Sequence, residues 1–197
     1  DIPFQSAMIR AGVSAAHARS RFGVDFCGDR PVWTADRFGQ SLTLLADGRA
    51  IMVGGEHEDW YDDDFCIFND VIVVEPGGDI LHLGYPAEVF PPTDFHTTTP
   101  LGRRLWIVGS LGYHQFRRPG STPVHVLDLD TYAIESVTIA GPSPGWVFKH
   151  RAVAVGPTAI RISGGEVMTT GNDCTSQIDP NTSAWILDTS ARRWLPE

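Results

Sequence analysis

A glycine returns every 55 residues in this chain, at Gly54, Gly109 and Gly164. Each closes a short apolar run: Ala50-Ile51-Met52-Val53, Leu105-Trp106-Ile107-Val108 and Ala159-Ile160-Arg161-Ile162. Each is followed by a second small residue, Gly55, Ser110 or Gly165. A fixed period of this size marks a stack of like supersecondary units, none of which can bury its apolar faces alone. It constrains the fold more tightly than any other feature of the chain.

Further marks keep the register. Some 15 residues before each glycine stands Gln40-Ser41, His96-Thr97 or His150-Arg151. After it comes another apolar run with an acid at its end: Val71-Ile72-Val73-Val74-Glu75, Val124-His125-Val126-Leu127-Asp128 and Ala184-Trp185-Ile186-Leu187-Asp188. The third unit adds Trp194. In this order of marks, residues 37–197 resemble the kelch repeat, whose units run about 50 residues and fold as four-stranded blades of a β-propeller. The second unit departs from the glycine pair with Gly109-Ser110. The resemblance implies an all-β fold of three kelch-type, four-stranded blades, over about 37–90, 91–145 and 146–197, preceded by an N-terminal segment, 1–36.

The residues point the same way. Continuous apolar runs of four or five residues between Pro-, Gly- and Asp-bearing turns suit strands buried on both faces. Asp47-Gly48 reads as a two-residue hairpin turn, because it offers the positive φ such a turn requires. Gly102 and Gly156-Pro157 stand at the matching places. Within 1–36, Phe4, Ala7, Met8, Ala11, Ala15, Ala18 and Phe22 follow helical spacing, which predicts a short helix capping the core, weakened by Gly12.

Composition narrows the function classes. A formal charge of −9 lacks the basic field a nucleic-acid binder needs. No apolar run is long enough to span a bilayer. Cys27, Cys66 and Cys174 are odd in number and widely spaced, which fits reduced thiols in a cytoplasmic protein rather than a disulfide framework.

Three blades fall short of the roughly four to eight that close a propeller, so two apolar blade faces stand open. Pairing of two copies into a six-bladed ring would cover both faces, and a homodimer is the expectation. The N-terminal segment capping an open stack, or a longer chain, would also resolve the problem.

The loops after the glycines are the candidate site. The first, from Glu56 to Cys66, carries six carboxylates in nine residues and includes His57, Asp59, Trp60, Tyr61 and Asp62. The second carries His114, Phe116, Arg117 and Arg118; the third, from Glu166 to Cys174, is mostly neutral. Repeat equivalence sets the three loops side by side. An acidic loop beside a basic one, both with aromatics, suits a protein partner, with Arg117 and Arg118 pairing in part with the acids. The alternative is a small-ligand or metal-dependent enzyme using the same loops, with His57 and His114 beside Glu56 or Asp59 as an acid–base or metal pair.

No cofactor is expected. Some kelch propellers, the nitrile-specifier proteins, resemble this chain in one further respect: their Glu-x3-Asp-x3-His iron site matches Glu58, Asp62 and Cys66, with cysteine at the histidine place. No nucleophile elbow, phosphate loop or zinc-protease helix occurs. His96 and His150 read as structural hydrogen-bonding groups, His17, His82 and His125 as core or surface residues. Asp94, after Pro91-Pro92, calls for a cationic partner, with Arg37 and Lys149 as candidates.

Overall fold

A computed structural model describes residues 2–12, 17, 20, 21, 23, 33–57, 65–170 and 176–197. The chain is mostly β, in small antiparallel sheets that do not close on themselves. The repeat surfaces as three four-stranded sheets, each built in chain order. In the first, β1 (Ser41–Leu44), β2 (Ala50–Val53), β5 (Asp70–Val74) and β6 (Ile80–Gly84) pair in turn. A two-residue hairpin, β3 (Glu56–His57) with β4 (Cys66–Ile67), rises from the β2–β5 connection. The second sheet runs β7 (Thr97–Leu101), β8 (Arg104–Val108), β9 (Val124–Asp128) and β10 (Ile134–Ser136). The third is β12 (Arg151–Ala154), β13 (Ala159–Ser163), β16 (Ala184–Asp188) and β17 (Arg193–Pro196). Its own excursion, β14 (Glu166–Thr170) and β15 (Ser176–Pro180), joins β11 (Trp146–Phe148) in a three-stranded sheet.

Side-chain alternation explains why these strands are apolar throughout. On β8, Leu105 and Ile107 face Ile51, Val53, Val71 and Val73 of the first sheet. Trp106 and Val108 face Ile160, Ile162, Leu187 and Trp194 of the third. The second sheet therefore has core on both faces, and a period-two pattern of polar residues has no place on it. Burial of such side chains contributes about 1.5–3 kcal/mol each.

The first strands of the three sheets lie next to one another, β1 beside β7 and β7 beside β12. The same bonds recur at both joints. Ser41 Oγ meets His96 Nε2 at 2.8 Å, and Thr97 Oγ1 meets His150 Nε2 at 2.9 Å. Phe95 N–H donates to Gly39 O, and Lys149 N–H to Phe95 O, each at 2.8 Å. Gly39, Phe95 and Lys149 all have φ near +50° to +60°, a left-handed turn before each first strand. His96 and His150 are thus the structural groups expected.

The recurring glycine has a specific cause. A Cβ on Gly54 would strike Thr93 O, and one on Gly109 would strike Val147 O, the same place in the following unit. Both have positive φ. The neighbouring backbone leaves room for a hydrogen atom only.

Several details depart from expectation. The first hairpin is closed by a bond from Leu45 N–H to Arg49 O, with three residues between, and only Gly48 has positive φ. Helix α1 (Ile2–Ala11) stops at Gly12, whose φ of 60° and N–H bond to Met8 O make it a C-terminal cap rather than a weak interior position. Ala15, Ala18 and Phe22 lie outside the described residues. α1 lies on the outer face of the first sheet: Met8 is fully buried, Gln5 Oε1 bonds His82 Nδ1 at 3.0 Å, and Arg10 donates to Gly78 O at 2.9 Å. No helix among the described residues is long and apolar enough to cross a membrane.

Candidate functional site

Loop two, between β8 and β9, is the glycine-following loop whose residues are all among those described. Gly109 turns the chain out of β8, and Ser110 N–H bonds Val147 O at 3.1 Å. Gly112 follows with φ 62°, and a 3-10 turn spans His114–Phe116. Asp94 organises the base: it is fully buried, and its Oδ1 accepts from Gly112 N–H at 2.6 Å, with Ser110 Oγ at 3.5 Å. The cationic partner expected for Asp94 is not Arg37 or Lys149. Arg37 pairs with Asp70, and Lys149 with Glu166 at 3.4 Å. A carboxylate can be held by backbone and hydroxyl donors as well as by a cation, and Asp94, ahead of β7, uses the turn of loop two.

Arg117 is a brace. Its Nε donates to Leu111 O and Gly112 O, both at 3.0 Å, its Nη2 to Gly112 O at 2.8 Å, and its Nη1 lies 3.2 Å from His114 Nδ1. Burial lowers its pKa, opposed by the charge of Asp94. Arg118 is exposed and donates from Nη1 to Gln115 O and Arg117 O. The expected pairing of these arginines with the acidic loop falls on acids that mostly lie outside the described residues; among the described residues they bond to carbonyls of their own loop. Such local bonds order no second loop, so their entropic cost is low.

The adjacency of loops one and two is direct. Ile67 N–H donates to Tyr113 OH at 2.8 Å, and the Phe65 and Tyr113 rings meet edge to face at 5.9 Å. Burial raises the Tyr113 pKa. On the other side, Trp146 Nε1 donates to Leu111 O at 3.3 Å, and Leu111 packs on Trp146, Phe148 and Met168.

The sequence-predicted residues divide accordingly. His114, Phe116, Arg117 and Arg118 share one loop, in which the Arg117 side chain reaches that of His114 and Arg118 bonds the Arg117 carbonyl. Glu56 is buried on β3, and His57 faces Cys66 across the small hairpin. Glu58, Asp59, Trp60, Tyr61 and Asp62 lie outside the described residues, and with them two of the three residues spaced like an iron site. Among the described residues, no three His, Cys, Asp or Glu side chains stand together as a metal site.

Sequence reasoning passed over one residue. A cavity of about 230 Å³ opens beneath loop two, lined by Pro91, Pro92, Phe116, Arg118, His125 and Trp146 among others. His125 is 7% exposed, and its ring meets Phe90 edge-on at 5.2 Å. Burial pushes its pKa down to about 4, so it is neutral at pH 7. A histidine inside the apolar run Val124–Leu127 was the available signal: a polar ring on a buried face needs a reason to be there. Two larger cavities, each about 400 Å³, offer less chemistry. One has no aromatic or ionisable lining; in the other Asp47 pairs with Arg49, and Asp130 with Arg103.

No family model matches the chain, and no curated protein matches it. Among solved structures, that of YjhT is similar, with a TM-score of 0.60 at 16% identity. The match covers 82% of this chain and 52% of that one. At this identity the likeness is one of fold, and the chain spans about half the length of YjhT.

Proposed function

We propose that this chain is a three-blade run of a kelch-type β-propeller that serves as a protein-interaction module, with loops one and two as its docking face and a second copy completing the ring. The observation that carries the reading is the braced contact of the two loops. Tyr113 is fixed to Ile67 and Phe65, while His114 and Arg118 are exposed and Phe116 is half-buried beside them. A rigid platform with an aromatic and an arginine on it has the residue types that dominate binding at interfaces. The twice-repeated bonds between first strands support a rotational stack. Gly164 supports its continuation, since a Cβ there would face open space among the described residues, where Gly54 and Gly109 meet the next unit.

A random peptide library displayed on phage and panned against the purified protein tests the docking face. Peptides retained by the native protein and lost on the Phe116→Ala/Arg118→Glu variant, with its melting curve unchanged, are the expected result. Peptides indifferent to that variant would sink the assignment.

A further inference from the structure

We propose that the cavity beneath loop two is a binding site for a compact hydroxyaryl acid, with the ring against Phe116 and Trp146, the hydroxyl on His125 and the carboxylate on Arg118 at the mouth. This goes beyond the protein-interaction reading and does not depend on it.

The walls select an arene. Pro91, Pro92, Phe116 and Trp146 supply flat apolar surface, and Trp146 is held in place by its bond to Leu111 O. The volume, about 230 Å³, lies below the roughly 300–1,000 Å³ of drug-sized sites, which limits the occupant to a single ring with a short arm.

The polar groups select what the ring carries. His125 is more than nine-tenths buried and lines the cavity, and none of the bonds among the described residues engages its ring nitrogens. Those nitrogens are not sealed away, since the buried, unpartnered polar atoms among the described residues are Asp94 Oδ2, His96 Nδ1 and His150 Nδ1, so a group in the cavity can reach the imidazole. A phenolic hydroxyl can donate to one imidazole nitrogen or accept from the other, whereas a hydrocarbon satisfies neither. Neutral imidazole keeps both options. At the open side, Arg118 spends Nη1 on two carbonyls of its own loop, Gln115 O and Arg117 O. Those bonds orient the guanidinium, and its remaining donors form the fork that matches a carboxylate. Asp94 is kept out of the cavity lining by Ser110 and Gly112, which face the cavity while bonding the acid behind them.

The probe is 4-hydroxyphenylacetate, compared with phenylacetate and with 4-hydroxyphenylacetamide. Binding is read by saturation transfer from protein to ring protons and by the imidazole nitrogen resonances of His125. We expect 4-hydroxyphenylacetate to bind in the range of about 1 mM or tighter, and to shift the His125 signals. Phenylacetate should bind more weakly and leave those signals near their free positions. Arg118→Gln, at an exposed site that leaves the fold intact, should weaken the acid by roughly tenfold and leave the amide unchanged. Absence of saturation transfer to any of the three would overturn the assignment. So would unmoved His125 signals in the presence of bound 4-hydroxyphenylacetate, or equal weakening of acid and amide by Arg118→Gln.

Discussion

Arg37 and Asp70 form the most consequential pair in the chain. The Arg37 side chain is 0% exposed and Asp70 is 9% exposed. Asp70 receives both guanidinium nitrogens of Arg37, the indole N–H of Trp33 at 2.8 Å and His82 Nε2 at 2.7 Å. Burial alone would raise the Asp70 pKa; Arg37 first, then His82, outweigh it and hold the carboxyl well below its usual range. Removing one partner of such a pair leaves a buried charge. Asp70→Ala should therefore cost about 3–5 kcal/mol in urea unfolding, while the double change Arg37→Met/Asp70→Leu should cost clearly less. The histidines set the pH response. Burial lowers His96 to about 3 and His125 and His150 to about 4. Each is neutral in the fold and protonates first in the unfolded chain. Their stabilisation is complete above pH 6.5 and falls as pH drops from there toward 4, by up to about 1.4 kcal/mol per pH unit for each. The Asp70 contribution is lost only at lower pH, below about 4. Unfolding free energies at pH 7, 6 and 5 should decline steadily; a flat profile over that span would contradict neutral burial of the three rings.

Among the elements, the strand-ending glycines are informative because they are equivalent in sequence but not in surroundings. A Cβ added to Gly109 would meet Val147 O and the His150 ring, whereas one added to Gly164 would meet nothing within 4 Å among the described residues, though both have positive φ. Alanine at either site carries a left-handed backbone cost of about 1–2 kcal/mol. Gly109→Ala adds a clash, worth about a further 1–3 kcal/mol. Thermal or urea unfolding of the two variants should separate them by that amount, and equal losses would remove the steric account of the repeat. α1 offers a second contrast. Met8 is fully buried on the first sheet, so Met8→Ala should cost about 2–5 kcal/mol if the helix unfolds with the sheets, and far less if it detaches first.

For the whole molecule, the question is what covers the two outer sheets. α1 and Trp33 already cover part of the first sheet, leaving Leu42 and Leu44 on β1 at 63% and 74% exposure. On β12 of the third sheet, and just after it, Val153 and Val155 are about half exposed. Light scattering at several concentrations measures the outcome. Twice 21.6 kDa is the mass expected of the proposed three-plus-three ring, in which α1 must yield its place on the first sheet to the partner's third. A monomer at every concentration would refute the ring and leave an open stack capped by α1, or a run continued in a longer chain, as the alternatives.

The sequence by itself determined the unit and its count. Gly54 and Gly109 are readable because a backbone crossing within a hydrogen's width admits one residue type, and Gly164 because it keeps their period and their positive φ. The apolar runs are readable because both faces of a middle sheet are core. His96 and His150 are readable because they stand at the same place in the second and third units, where the first has Gln40. Tertiary structure alone decided the partners. Asp70 meets Arg37 across 33 residues, Asp94 turns to Gly112 rather than to a cation, and His125 opens onto a cavity also lined by Pro91, Pro92 and Trp146 from other segments. Repeat spacing fixes where a residue stands along its own strand. Which side chains converge depends on how one sheet is rotated against the next, and that rotation is written in contacts between units, not in the period of any one of them.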